Sequence, residues 1–137
     1  MAERAMKREF CEPFIKPHDN KLEHIRRIAN LYGYKILLGD RFCHLVKAEA
    51  DKGKAIQKYL KIYKHDHGGD VISIGLGNSP NDIDMLEVVD IPIVVPNLSG
   101  AHPELLRKNW RVAPFPGPKG WAYAIRETLR ELGVLKV

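Results

Sequence analysis

Cysteine is scarce: the 137 residues hold two, Cys11 and Cys43. Two thiols make no disulfide framework, and their separation fits no zinc module. Reduced structural thiols in a cytoplasmic protein are therefore the expectation. No apolar run approaches the ~20 residues that a membrane span needs. The opening 1-MAERAMKREFCEPF-14 is charged and shows no apolar core of a secretory leader. The glycosylation sequon Asn97-Leu98-Ser99 carries no weight in that context. Internal repeats and low-complexity segments are also missing. What is present is ordinary for a soluble globular domain, with 45% hydrophobic and 28% charged residues. The length is enough for one domain with a real core.

The charge is uneven. Net charge is +5, with 15 Lys+Arg against 10 Asp+Glu in residues 1–70 and 7 against 7 in residues 71–137. Such asymmetry can mark a surface for nucleic acid or a phosphorylated substrate. Here the basic residues alternate with acids, which favours solvated helix faces. No RNA-binding motif accompanies them, so no nucleic-acid partner is expected.

Residues 2–10 read as the end of a helix. The run 10-FCEPFIKP-17, with two prolines, suggests an edge strand. His18-Asp19-Asn20 opens a helix with Leu22, Ile25, Ile28, Ala29 and Tyr32 on one face, and Gly33 closes it. Strands 34-YKILL-38 and 42-FCHLV-46 follow, joined by a turn. Asp51 can cap a helix over residues 52–64, with Ala55, Ile56, Tyr59, Leu60 and Tyr63 apolar. The cluster 65-HDHGGD-70 reads as a loop. The continuous apolar run 71-VISIGL-76 is what a strand covered on both faces requires. A helix over 80–89, a buried strand over 91–95, a short helix over 103–109 and a short strand over 110–113 come next. The Pro/Gly stretch 114-PFPGPKG-120 reads as a loop before a last helix over 121–132. The second half is thus an open parallel sheet with helices on both faces. The first half is a small antiparallel sheet with helices on one side, and the boundary falls near residues 47–50.

In an open parallel sheet, ligands bind at the carboxyl edge of the strands. The stretch 75-GLGNSPNDIDML-86 lies at such an edge. Gly75 and Gly77 permit a sharp turn. Asn78, Asn81 and Asp82 then project near the strand end, and such oxygen ligands suit Mg²⁺. The helix opening at Pro80 aims backbone N–H groups at the same space, which favours an anion. Lys52, at the start of the preceding helix, can act there as a point charge on a phosphate or carboxylate. Asp84 lies inside the helix and is read as a solvated helix residue.

The same stretch resembles the fourth motif of haloacid dehalogenase superfamily phosphatases, G-D-x-x-N-D-x-x-M-L. The segment 51-DKGKA-55 resembles their third motif, a lysine before a glycine at a helix start. Within the superfamily, 8-REFCEPF-14, 41-RFCHL-45, 51-DKGKAIQKYLKIY-63, 85-MLEVVDIPIVVPN-97 and 117-GPKGWAYAI-125 resemble the mannosyl-3-phosphoglycerate phosphatases. The resemblance implies an α/β fold: a partial Rossmann-like parallel sheet, the C-terminal half of the core (residues 48–137), preceded by a partial α+β cap (residues 1–47). It implies Mg²⁺-dependent hydrolysis of a phosphate monoester through a phosphoaspartate. Lys52 would neutralise charge on the nucleophile and phosphoryl group, and Asp82 and Asn78 would hold Mg²⁺ or its waters. Ser79 and Asn81 would shape the loop and contact substrate. Arg8, Glu12 and Arg41, in the cap-like segments, would recognise the sugar or glycerate end, an Arg suiting a carboxylate or phosphate. The competing reading makes these three surface salt-bridge partners.

Two departures accompany the match. Family members begin with a strand ending in D-x-D-G-[TS], which carries the nucleophile, and no such motif occurs here. The usual first acid of the fourth motif is Asn78, whose amide oxygen brings no charge. Two hypotheses follow. One is a phosphatase half that needs aspartates supplied by a complementing N-terminal fragment, with exposed sheet edges favouring strand exchange or a homodimer. The other is a degenerate, non-catalytic protein that binds phosphorylated ligands or a partner.

Overall fold

The computed structural model describes residues 11–39 and 41–136. The expected helix over 2–10 and the candidate Arg8 lie outside the described residues. The chain divides into two compact units, Met1–Asp51 and Lys52–Val137.

In the first unit, strands β1 (Cys11–Ile15), β2 (Tyr34–Leu38) and β3 (Phe42–Lys47) form an antiparallel sheet in the order β1-β3-β2. β1 is an edge strand, as suits Pro13, which stands opposite His44. Helix α1 (Asp19–Leu31) lays Leu22 and Ala29 on Ile36 and Cys43, with Phe14, Ile25, Leu38 and Leu45 packed around them. Ile28 and Tyr32, expected on the same face, are exposed; Tyr32 falls past the helix end at Leu31, where the chain turns at Gly33 with φ of 77°.

In the second unit, β4 (Ile74–Gly77), β5 (Ile91–Val94) and β6 (Arg111–Val112) form a parallel sheet in that order. Five helices are described overall: α1 above, and here α2 (Lys52–His67), α3 (Ile83–Leu86), α4 (Pro103–Leu106) and α5 (Gly117–Glu131). A single 3₁₀ turn, Pro80–Asp82, leads into α3. β5 shows the period-2 logic of a strand buried on both sides. Val94 packs with Leu86 of α3 and Leu105 of α4, whereas Ile93 packs with Ala113 and with Ala124 of α5. Helices therefore cover both faces, and this α/β arrangement is the expected one.

Several boundaries differ from expectation. α2 runs on through His67, where residues 65–67 read as a loop. The Tyr63 and His67 rings stack at 4.2 Å, and His67 Nδ1–H donates to the Tyr63 carbonyl at 3.2 Å, adding a last turn. The apolar residues of α2 form no buried stripe in the unit, and Tyr59 is 64% exposed. β4 starts only at Ile74; Ile72 points into solvent. α5 starts four residues early, inside the Pro/Gly stretch, since Pro118 in the first helical turn forfeits only an N–H that has no intrahelical acceptor.

Candidate functional site at the carboxyl edge of the parallel sheet

β4 ends at Gly77, and the chain must turn at once to enter the 3₁₀ turn. Gly77 is glycine for a steric reason. A Cβ built there would stand 2.5 Å from the Asp82 Cβ. The close approach presses Asp82, 6% exposed, against the strand end.

The Asp82 carboxylate is the hub. Its Oδ2 accepts from the Asn78 backbone N–H at 3.0 Å and the Ser79 backbone N–H at 3.3 Å, with the Ser79 hydroxyl at 3.4 Å. Its Oδ1 accepts from Lys52 Nζ, which reaches over from the first residue of α2. The pair bridges two separate elements, as the sequence expectation requires of Lys52 and Asp82. The Lys52 side chain is 47% exposed, so the ammonium keeps access to solvent and to an incoming anion. Of the amides at the turn opening at Pro80, expected to face an anion, that of Asp82 donates instead to the Ser79 carbonyl at 2.9 Å. A buried carboxylate without donors such as Lys52, Asn78 and Ser79 would carry a desolvation cost of several kcal/mol.

The other candidates fall into two groups. Ser79 Oγ donates to Asn81 Oδ1, so both belong to the loop beside Asp82. Asn78 is exposed, and its Nδ2 donates to Asn97 Oδ1 at 3.0 Å. Glu12 and Arg41 lie in the first unit, toward opposite ends of the β1–β3 ladder: Glu12 is opposite Leu45, whereas Arg41 immediately precedes Phe42, the partner of Ile15. Both are exposed and neither makes an ion pair among the described residues. The structure does not bring these two together.

A cleft of about 420 Å³ opens at this edge. Asn78 and Asp82 form its polar wall; Leu76, Val95, Pro96, Pro118 and Trp121 form the apolar one. Trp121 and Asn97 were not expected here. Both stand in segments that carry the family resemblance, but their place in the site comes from chain that returns after β5 and β6.

The donor chemistry suits a hard cation on one side. Asn78 and Asp82 offer oxygen to a common cleft, and no sulfur or imidazole competes there. Among the described residues, no group of three or more His, Cys, Asp or Glu side chains is placed to hold a metal by itself. A hard cation here would keep waters and take further oxygens from substrate or another carboxylate.

Residues 17–114 match the family model of haloacid dehalogenase-like hydrolases, which is more than half of the chain. The chain belongs to the haloacid dehalogenase-like hydrolases. Among curated haloacid dehalogenase-like relatives, a glucosyl-3-phosphoglycerate/mannosyl-3-phosphoglycerate phosphatase from Persephonella marina is 38% identical over 131 residues, covering 96% of this chain and 49% of the relative. A phosphatase of the same description from Methanococcoides burtonii is 32% identical over 130 residues, covering 93% and 47%. The chain thus spans about half the length of the curated relatives it matches. Solved structures agree on the fold. The protein 0175 of Thermoplasma acidophilum aligns with a TM-score of 0.70 at 18% identity, over 93% of this chain and 52% of that one. A haloacid dehalogenase-like hydrolase protein from Bacillus subtilis aligns with a TM-score of 0.56 at 19% identity, over 97% and 48%. Among the described residues, no helix is long and apolar enough to cross a membrane.

Proposed function

We propose that this chain supplies the lysine and the metal-facing loop of a Mg²⁺-dependent phosphatase acting on a phosphorylated sugar-glycerate. The observation that carries the reading is the meeting of Lys52 and Asp82, from two different elements, at the carboxyl edge of a parallel sheet. In this reading residues 48–137 are core and residues 1–47 are part of a cap. Asn78 would give an amide oxygen to Mg²⁺, with Asp82 acting through water while it anchors the loop and Lys52. Bound Mg²⁺ would supply charge neutralisation at the phosphoryl oxygens. Lys52, half in solvent, would pair with the phosphoryl group or with the attacking carboxylate. Ser79 and Asn81 hold the loop; in the cap reading Arg8, Glu12 and Arg41 would recognise the sugar-glycerate end, with Glu12 and Arg41 meeting it from opposite ends of the β1–β3 ladder rather than as one cluster. The similarity to the two glucosyl-3-phosphoglycerate/mannosyl-3-phosphoglycerate phosphatases supports the substrate class.

The nucleophile is not among these residues, because the sequence has no D-x-D-G-[TS] motif. Without an attacking carboxylate there is no covalent step, and electrostatic clamping alone leaves the ester intact. The half of the relatives' length that this chain does not span is the expected source. Among the described residues β4 is paired on one side only, and such an edge is a ready acceptor for a further strand.

The test is complementation. The purified chain, with Mg²⁺ and p-nitrophenyl phosphate, is expected to show no turnover. Adding the N-terminal half of the Persephonella marina relative is expected to restore turnover, and Asp82→Ala to abolish the restored activity. Absent rescue, with phosphorylated ligand still bound, would favour the alternative that the neutral Asn78 suggests: a non-catalytic phospho-ligand binder.

A further inference from the structure

A carboxylate offers a cation the same chemistry from either oxygen. An amide does not: one end is an acceptor and the other carries two N–H donors that repel a cation. Asn78 therefore works as an oxygen ligand only if something holds its NH₂ end elsewhere. The structure contains that holder. Asn78 Nδ2 donates to Asn97 Oδ1 at 3.0 Å, across 19 residues of sequence. Asn78 lines the cleft and Asn97 does not, so the end of the amide left for the cleft is the oxygen.

Asn97 is itself well fixed. Its backbone N–H donates to the Gly100 carbonyl at 3.0 Å, and the Gly100 N–H returns the bond to the Asn97 carbonyl at 3.0 Å. Gly100 sits at φ of 110°, a conformation that L side chains rarely adopt, and this closes the four-residue turn. One residue earlier, the Pro96 carbonyl accepts from the Gly117 N–H at 3.0 Å, tying the turn to the start of α5. On the other side, the Asn78 backbone is anchored by Asp82. Two clamped backbones thus present one amide to the other.

We propose that Asn97 is a positioning residue that turns the Asn78 amide oxygen toward the cleft, and that it is what makes an amide workable at position 78. The proposal rests on the metal reading above. It carries a signature that a merely structural role lacks. Asn97 matters when residue 78 is an amide with a wrong end, and stops mattering when residue 78 is a carboxylate without one.

Two readouts on the full chain test it. First, ¹⁵N–¹H spectra without metal report the Asn78 side-chain amide. A slowly exchanging, downfield Nδ2 proton is expected in the parent, lost in N97A and kept in N97D, whose carboxylate still accepts. Unchanged Asn78 signals in N97A overturn the proposal. Second, Mn²⁺ added as a paramagnetic probe broadens backbone signals of Asn78 and Ser79. N97A is expected to raise the Mn²⁺ concentration needed by about tenfold, as for supports of other metal ligands. The same change in the N78D background is expected to have roughly no effect. Equal weakening in both backgrounds overturns the proposal and makes Asn97 a general loop support. Loop signals insensitive to Mn²⁺ in every background remove the metal reading, while the amide spectra still decide the positioning role.

Discussion

Gly77→Ala perturbs the site sharply while removing no functional group from it. The added Cβ would lie 2.5 Å from the Asp82 Cβ and 3.1 Å from both Cγ and Oδ2. Carbon atoms in contact sit about 3.5–4.0 Å apart, so Asp82 must retreat by about 1 Å. The retreat cannot be absorbed at a floppy tip, because the clash begins at Cβ and the carboxylate is tied to Lys52, Asn78 and Ser79. Bonds of 3.0 and 3.3 Å stretched that far leave hydrogen-bonding range. Overpacking costs about 1–3 kcal/mol, and a lost bond to a charged acceptor about 1.5–3 kcal/mol. A total of about 3 kcal/mol is expected. For a unit the size of Lys52–Val137 this lowers Tm by roughly 12 °C or more. Thermal melts followed by circular dichroism measure it. The control is G77A in the D82G background, where the opposing Cβ is gone and the cost should largely vanish. A loss below about 1 kcal/mol, or the same loss in both backgrounds, refutes the close-approach argument.

Two further outcomes concern stability. Asp90 accepts from the Ser73 hydroxyl at 2.6 Å and the Ser73 backbone N–H at 2.7 Å, and these bonds, the hydroxyl first, hold its carboxyl below the usual aspartate value. A depressed pKa contributes stability that is present above the unfolded value, near 4, and lost as pH falls through the folded one. The stability gap between the parent and D90N should therefore narrow on acidification below about pH 4, measured by urea melts across pH; a gap independent of pH contradicts it. Thr128 is fully buried and its hydroxyl has no hydrogen-bond partner among the described residues. Thr128→Val should stabilise by about 1 kcal/mol in the same melts, and a destabilised variant would reveal a hidden acceptor.

Lys52 and Asp82 were legible in the sequence because each stands at a strand-to-helix junction with a recognisable local pattern. The antiparallel sheet of the first unit was legible through its prolines and its alternating strands. Burial was less so. Val71 and Ile72 extend an apolar run that reads as strand, yet the ladder with β5 begins at Ile74, opposite Ile91. The start of α5 was hidden because Pro and Gly signal a loop, although Pro is well tolerated in a first helical turn. Gly120, inside that turn, stands where a Cβ would meet the Phe115 carbonyl, a contact no local pattern announces. In the sequence Asn97 shows only a bare sequon. Its partner lies across two loops, and only the parallel pairing of β4 with β5 sets the two asparagines side by side.

β5 is, among the described strands of the second unit, the one bonded along both edges and covered on both faces. Deuterium has no local route to it. The amides of Ile93 and Val94 should therefore exchange only when the whole unit opens, and their rate becomes a gauge of its global unfolding free energy. The neighbouring strand β4, bonded along one edge among the described residues, lacks that second shield. The protein thus holds its candidate site between one strand that yields early and one that yields last.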